Sequence, residues 1–260
     1  MQTIEVRGET LHYERAGSGP PLLLVHSLGT GAWLWRDEIR RWSSLFDVIA
    51  VDARGHGRST ARGAPTVPEI AADLAAVIAA LGLAPAHVVA ISMGGPISAH
   101  LIAQAPGSVA SLVIADSFAN QGEAGAKRAE TIAAVVRDVG MAEFGRRYAQ
   151  DTLLPATPRP VFDELAASLG AMDAQTYIAC ATSVFTSDVR DLMAAIRVPV
   201  RIVVGERDNR TPPALSEAIA ALIPGAGLHH IADAAHLANL DQPERFEAAV
   251  LSFLTAQAGL

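Results

Sequence analysis

Ala90-Ile91-Ser92-Met93-Gly94-Gly95 stands between two stretches of opposite habit. Upstream, residues 87–91 (HVVAI) form an apolar, β-branched run that predicts a buried strand. Downstream, residues 93–105 (MGGPISAHLIAQA) predict a helix. A lone serine in so tight a strand-to-helix turn has the layout of a nucleophile elbow. Such a turn strains the serine backbone to positive φ and needs small residues two before and two after it. Ala90 and Gly94 hold those places, Ala90 with one methyl more than glycine. The turn exposes Oγ and aims the helix N-terminus at whatever Oγ attacks. A plain N-cap serine is the bland reading, so the rest of the chain must supply a base and an acid.

The flanking sequence repeats this strand-then-helix habit. Residues 3–8 and 10–17 alternate apolar and polar around a turn at Gly8-Glu9, an antiparallel hairpin at a sheet edge. Buried strands follow at 22–26, 47–52, 87–91, 108–116, 199–208 and 227–233. Helices are expected near 33–44, 69–83, 93–105, 189–198, 211–225 and 241–259. Thr211 reads as an N-cap ahead of Pro212, and Asp241 with Glu244 as a capping box. The sum predicts a mostly parallel, twisted α/β sheet of about eight strands with helices on both faces. Residues 118–187 interrupt the alternation after the sixth strand. They are helix-patterned and broken by glycines and prolines, which predicts a helical cap inserted in a core made of 1–117 and 188–260.

Composition narrows the function classes. At 260 residues and 50% hydrophobic, the chain can bury one large core. A net charge of −7 with no basic run argues against nucleic acid. The single cysteine, Cys180, offers no internal disulfide, and no Cys/His spacing suggests zinc. No signal-peptide or membrane-spanning run is present, so a cytoplasmic protein is expected, with no membrane partner.

In a parallel sheet the loops beyond the strand carboxyl ends meet at one edge. Of eight histidines, His236 lies in such a loop among small residues, between the last strand and the last helix. His26 and His56 face the same edge, His26 with a structural role; His12, His87, His100, His229 and His230 do not. Asp208 follows the strand ending RIVVGER, and Asp116 follows the sixth strand as its rival. Asp52 is expected to bind backbone amides of the Gly-rich turn after it. A serine hydroxyl becomes a nucleophile when a base takes its proton and an acid holds the base.

The order Ser92, Asp208, His236 is that of the α/β-hydrolases, which this chain resembles along essentially its whole length. The resemblance rests on LLLVHSLG (22–29), VDARGHGRS (51–59), AISMGG (90–95), GERDNRTPP (205–213) and AAHLANLDQP (234–243), in order. It implies Asp208 over Asp116 as the acid. It also implies an oxyanion hole from the backbone amides of Met93 and Leu28, although Ser27 departs from the family's glycine. Within the family the chain is similar to 3-oxoadipate enol-lactonases, whose oxyanion loop resembles residues 27–30 and whose histidine loop resembles HLANLDQP. Arg147-Tyr148 stands where that group carries an Arg-Trp pair in the cap.

The resemblance implies acyl transfer on a small ester or lactone, the 3-oxoadipate enol-lactone foremost, with no metal or organic cofactor. Arg128, Arg137, Arg146, Arg147 and Arg159 are the cap cations available to a carboxylate-bearing substrate. C–C bond hydrolysis, perhydrolysis of the haloperoxidase type and a non-catalytic ligand-binding role are the alternatives. A monomer or homodimer is expected.

Overall fold

The computed structural model describes residues 2–260. Its centre is an eight-stranded sheet in the order β1-β2-β4-β3-β5-β6-β7-β8. The strands are β1 Gln2–Val6, β2 Glu9–Ala16, β3 Pro21–Val25, β4 Asp47–Val51, β5 Ala86–Ile91, β6 Val109–Ala115, β7 Val200–Gly205 and β8 Gly227–Ile231. β1, β2 and β4 pair antiparallel; β4, β3, β5, β6, β7 and β8 run parallel. β4 and β5 are buried at every position, as strands covered on both faces must be. The opening hairpin turns at Arg7-Gly8, one residue earlier than Gly8-Glu9. Both carry positive φ (51° and 82°), and Glu9 already belongs to β2. That is the backbone of a two-residue hairpin turn.

The helices on the sheet are α1 Arg36–Trp42, after a 3-10 turn at Ala32–Trp35, α2 Val67–Ala80 and α3 Gly94–Gln104. α4 to α6, described below, lie between β6 and β7. The remainder are α7 Arg190–Ala194, α8 Pro213–Leu222, α9 Ala238–Asp241 and α10 Pro243–Ala258. α2 begins at a Thr66/Glu69 capping box. Neither of the two predicted caps forms. α8 starts after Pro212 and α10 after Gln242, with no side-chain cap on either. Thr211 and Asp241 are drawn instead into long-range contacts that a local pattern does not reveal.

The inserted segment holds α4 Gly122–Thr152, α5 Arg159–Gly170 and α6 Ala174–Phe185. α4 is two arms meeting at Gly140, which leaves helical geometry in the helix interior. Gly145 does not break the helix; a Cβ there would lie 2.5 Å from the Ala166 carbonyl, so α5 packs on its bare backbone. The three helices cover the loops at the strand carboxyl ends. Ser168 bonds Gly29 O (2.9 Å) after β3, Arg210 after β7 bonds Thr152 (2.8 Å), and Asp241 in α9 accepts from Leu154 N (3.2 Å). α7 is half the length expected for 189–198, because Ile196 to Pro199 turn straight into β7. No described helix is long and apolar enough to cross a membrane.

Candidate active site

β5 lies between β3 and β6, and Ala90 pairs with Val25 on one side and Ile114 on the other. The last strand bond runs from Ser92 N to Ala115 O at 2.9 Å, and there the chain turns into α3. Ser92 has φ 55°, the strained turn expected of it; such a backbone costs about 1–3 kcal/mol. Gly94 makes the turn affordable. A Cβ on it would lie 2.9 Å from Ala90 Cβ and 3.0 Å from Val25 O, so the methyl at 90 fits because position 94 has none. Ser117 braces the turn by donating to the Ser92 carbonyl at 2.6 Å. Nothing local in the sequence marks Ser117 for this.

Ser92 Oγ lies 2.9 Å from His236 Nε2, and His236 Nδ1 lies 2.9 Å from Asp208 Oδ2. The network assigns the proton of neutral His236 to Nδ1, leaving Nε2 to accept from Ser92. Asp208 is held by more than His236. The backbone N–H groups of Arg210 (2.7 Å) and Thr211 (2.8 Å) donate to Oδ1, and Thr211 Oγ1 lies 2.6 Å from Oδ2. Burial works to raise this carboxyl, but the electrostatic attraction and bond of His236 and the bonds of Thr211 outweigh it and keep Asp208 below its usual value.

Asp116 does not reach His236. Its oxygens accept the N–H groups of Gly205 (2.8 Å) and Ala238 (3.1 Å), one just before the Asp208 loop and one just after His236. It therefore staples the acid loop to the base loop. Burial, then the charge of Asp208, pushes its carboxyl well above the usual range. Thr211 sits at the junction, with Oγ1 also 2.8 Å from the Asp116 carbonyl and 3.1 Å from His236 Nδ1.

The other candidates fall into structural places. Asp52 accepts Ala32 N (2.6 Å) and Arg58 N (3.1 Å), the amide-binding role expected of it. His26 Nε2 accepts Ala53 N (2.9 Å) and its Nδ1 donates to Ser27 O (2.8 Å). Burial lowers His26 to about 4 and His56 to about 3, so both are neutral near pH 7. Cys180 is buried, which pushes its thiol up to about 12.

β3 and β5 are neighbours, so the turns at 27–30 and at Ser92 leave the sheet side by side. Thr30 N donates to Ser27 O at 3.1 Å, closing a β-turn in which Gly29 has φ 81°. The N–H of Leu28 takes no part in that closure. Met93 N belongs to the first residue after the nucleophile, at the head of α3. Two amides so placed can serve a developing oxyanion at about 3 kcal/mol each.

Among the inserted arginines, Arg146 and Arg147 pair with Glu143, Arg159 with Asp163, and Arg137 is exposed to solvent. Arg128 differs. It is half-buried over the Phe185 ring (4.4 Å) and donates to the Arg210 carbonyl at 2.6 Å; among the described residues no carboxylate pairs with it. Arg210 in turn lies over Tyr148, 4.1 Å from the ring centre. Both line a cavity of about 570 Å³ between the arms of α4, with apolar walls of Ile132, Val135 and Phe144.

Comparison with known proteins agrees with this geometry. A family model described as the alpha/beta hydrolase fold matches residues 20–243. The chain is 28% identical to 3-oxoadipate enol-lactonase 2 of Acinetobacter baylyi over 95% of this chain and 94% of that one. It is 31% identical to a putative carbamate hydrolase, RutD, of Azorhizobium caulinodans, covering 94% of each. A thermophilic esterase from Thermogutta terrifontis, solved with malate bound, superposes with a TM-score of 0.90 at 26% identity, covering 99% of this chain and all of that one. With the serine turn, the sheet order and a family match over most of its length in agreement, the chain belongs to the α/β-hydrolase family.

Proposed function

We propose that this protein is a serine hydrolase that cleaves a small carboxylic ester or lactone through an acyl-enzyme on Ser92. The observation that carries this is the unbroken relay from Ser92 Oγ through His236 to Asp208, with both links at 2.9 Å, behind a serine held at φ 55°. His236 Nε2 takes the hydroxyl proton as Oγ attacks the carbonyl carbon. The amides of Leu28 and Met93 receive the oxyanion. As the tetrahedral intermediate collapses, Nε2 returns the proton to the leaving oxygen. A water molecule, deprotonated by the same nitrogen, then attacks the acyl carbon and frees the acid and Ser92. Asp208 keeps the Nδ1 tautomer and offsets the imidazolium charge. No step needs a metal or cofactor. The helices over this edge act as the cap that selects substrate.

The finer reading is an ester or lactone that carries a free carboxylate, as 3-oxoadipate enol-lactone does. Arg128 and Arg210 support it, being half-buried cations beside the Asp208 loop, and so does the name of the Acinetobacter relative. A carbamate is the second reading, favoured by the 31% identical relative; the same triad would expel nitrogen in place of oxygen. Fluorophosphonate labelling tests the common core. Wild type is expected to be phosphonylated at Ser92 and Ser92→Ala to stay unlabelled. A wild type that takes no label, and turns over none of a panel of aryl esters, enol-lactones and carbamates, would sink the proposal.

A further inference from the structure

The turn that carries Leu28 is gripped from two sides. From the core, the Ser27 carbonyl accepts three donors: His26 Nδ1 (2.8 Å), Thr30 N (3.1 Å) and Thr30 Oγ1 (2.8 Å). That carbonyl and the Leu28 N–H belong to one planar peptide, so fixing the oxygen fixes the direction of the amide. From above, α5 takes hold of the next carbonyl. Ser168 Oγ donates to Gly29 O at 2.9 Å and accepts Trp33 Nε1–H at 3.0 Å. A hydroxyl has one hydrogen; the incoming Trp33 bond occupies a lone pair and turns that hydrogen toward Gly29. The packing beside it is close. A Cβ on Gly29 would lie 2.6 Å from Leu169 Cδ2 and 3.3 Å from Tyr177 Cε2, so α5 and α6 rest on the bare Cα.

The two grips have different owners. The core grip, like Ser92, Asp208 and His236, stands on the sheet and its loops. The upper grip stands on the inserted helices, through a single hydroxyl that gathers both ends of residues 29–33. We propose that Ser168 is a positioning residue for the oxyanion site, tying the depth of the Leu28 amide to the seating of α5. The nucleophile is then built into the sheet, whereas the oxyanion donor is fully placed only when the helices are docked over it. This rests on the reading of Ser92 as the nucleophile.

Steady-state kinetics on an aryl ester, with an arylboronic acid as a tetrahedral adduct of Ser92, test it. Ser168→Ala is expected to lower kcat about tenfold, the worth of one net hydrogen bond, with KM within about twofold. Boronate affinity should fall by about the same factor as kcat. Ser168→Thr, which keeps a hydroxyl, should recover most of both. Trp33→Phe, which frees the hydroxyl to rotate but leaves it in place, should lose less than Ser168→Ala. An active wild type whose Ser168→Ala keeps kcat and boronate affinity overturns the proposal. So does a loss that appears in KM alone, or one that tracks lowered thermal stability and is not recovered by threonine. A wild type that forms no boronate adduct fails the Ser92 reading itself, a result distinct from these.

Discussion

The sheet edge and the helices laid over it solve opposite problems. At the edge, the polar atoms of Ser92, His236 and Asp208 are each paired within 3 Å, and the three residues are buried. Asp116, Thr211 and Ser117 hold them without taking their places. In the inserted helices, charge is left over. Arg128 keeps a guanidinium near Phe185 with no acid to match it among the described residues, and Arg210, which reaches these helices from the loop after β7, has for an acid only Asp151, at 4.0 Å and exposed. A saturated network resists change and suits chemistry that every substrate shares. An unsaturated one waits for a partner and suits discrimination between substrates.

Ser92→Ala tests the edge most severely. It should cost about 10⁵-fold or more in kcat, as loss of a triad nucleophile does, while circular dichroism stays native. Ser92→Gly should be equally inactive yet melt higher than wild type, because glycine takes φ 55° without strain. A lower melting temperature for the glycine variant would mean that the turn is not strained.

Next in size is the contrast between the two aspartates. Asp208→Asn should lower kcat about 10⁴-fold through the wrong histidine tautomer, with little change in melting. Asp116→Asn should do the reverse. It keeps most of kcat per folded molecule and lowers the melting temperature, because an amide accepts at one atom where the carboxylate accepts at two. Reversed rankings would make Asp116 the acid.

The same contrast explains what was legible in the chain. Strands β3 to β7 and the residues Ser92, Asp208 and His236 were readable because each is marked locally, by an apolar run and a small-residue loop after it. Thr211 was not. Threonine before two prolines is a strong local cap signal, yet its hydroxyl serves Asp116, 95 residues away, and His236, 25 away. Asp241 misled in the same manner, bonding Thr157 and Ala235 N instead of capping α10. Among the five inserted arginines considered, sequence did not single out Arg128. Arg137 also lacks an acid among the described residues but is exposed, and Arg128 is distinguished by being half-buried without one, a property of packing. The hairpin turn was off by one because Gly8 draws the eye while Arg7 shares the positive φ.

Arg128→Met tests the unsaturated side. It should reduce kcat/KM toward an ester bearing a distal carboxylate about 10- to 100-fold, the range for a charge-assisted hydrogen bond. The matching neutral methyl ester should change little. Equal losses on both substrates would make Arg128 a packing residue and remove the main support for a carboxylate-bearing substrate.

The smallest effect concerns a buried acid that neither side uses. Glu38 in α1 is 6% exposed and lies beside Asn239, three residues after His236. Burial raises its carboxyl from 4.5 to about 8, its backbone bond and the Asn239 bond opposing only in part. A raised folded-state value means the fold holds this proton more tightly than the unfolded chain does. Its contribution is therefore full below pH 4.5, declines as pH rises from there to about 8, and is gone above. His26 and His56 act in the opposite sense. Their values are depressed, so their contribution is full above pH 6.5 and declines as pH falls toward 4 and 3. Wild-type melting alone would mix the two trends, and the difference between Glu38→Gln and wild type separates them. That difference should be near zero at pH 4.5, grow in favour of glutamine through pH 8 and then level off. A difference independent of pH would show that Glu38 is ionised in the fold, and that α1 and the helix after His236 enclose a charge, not a neutral acid.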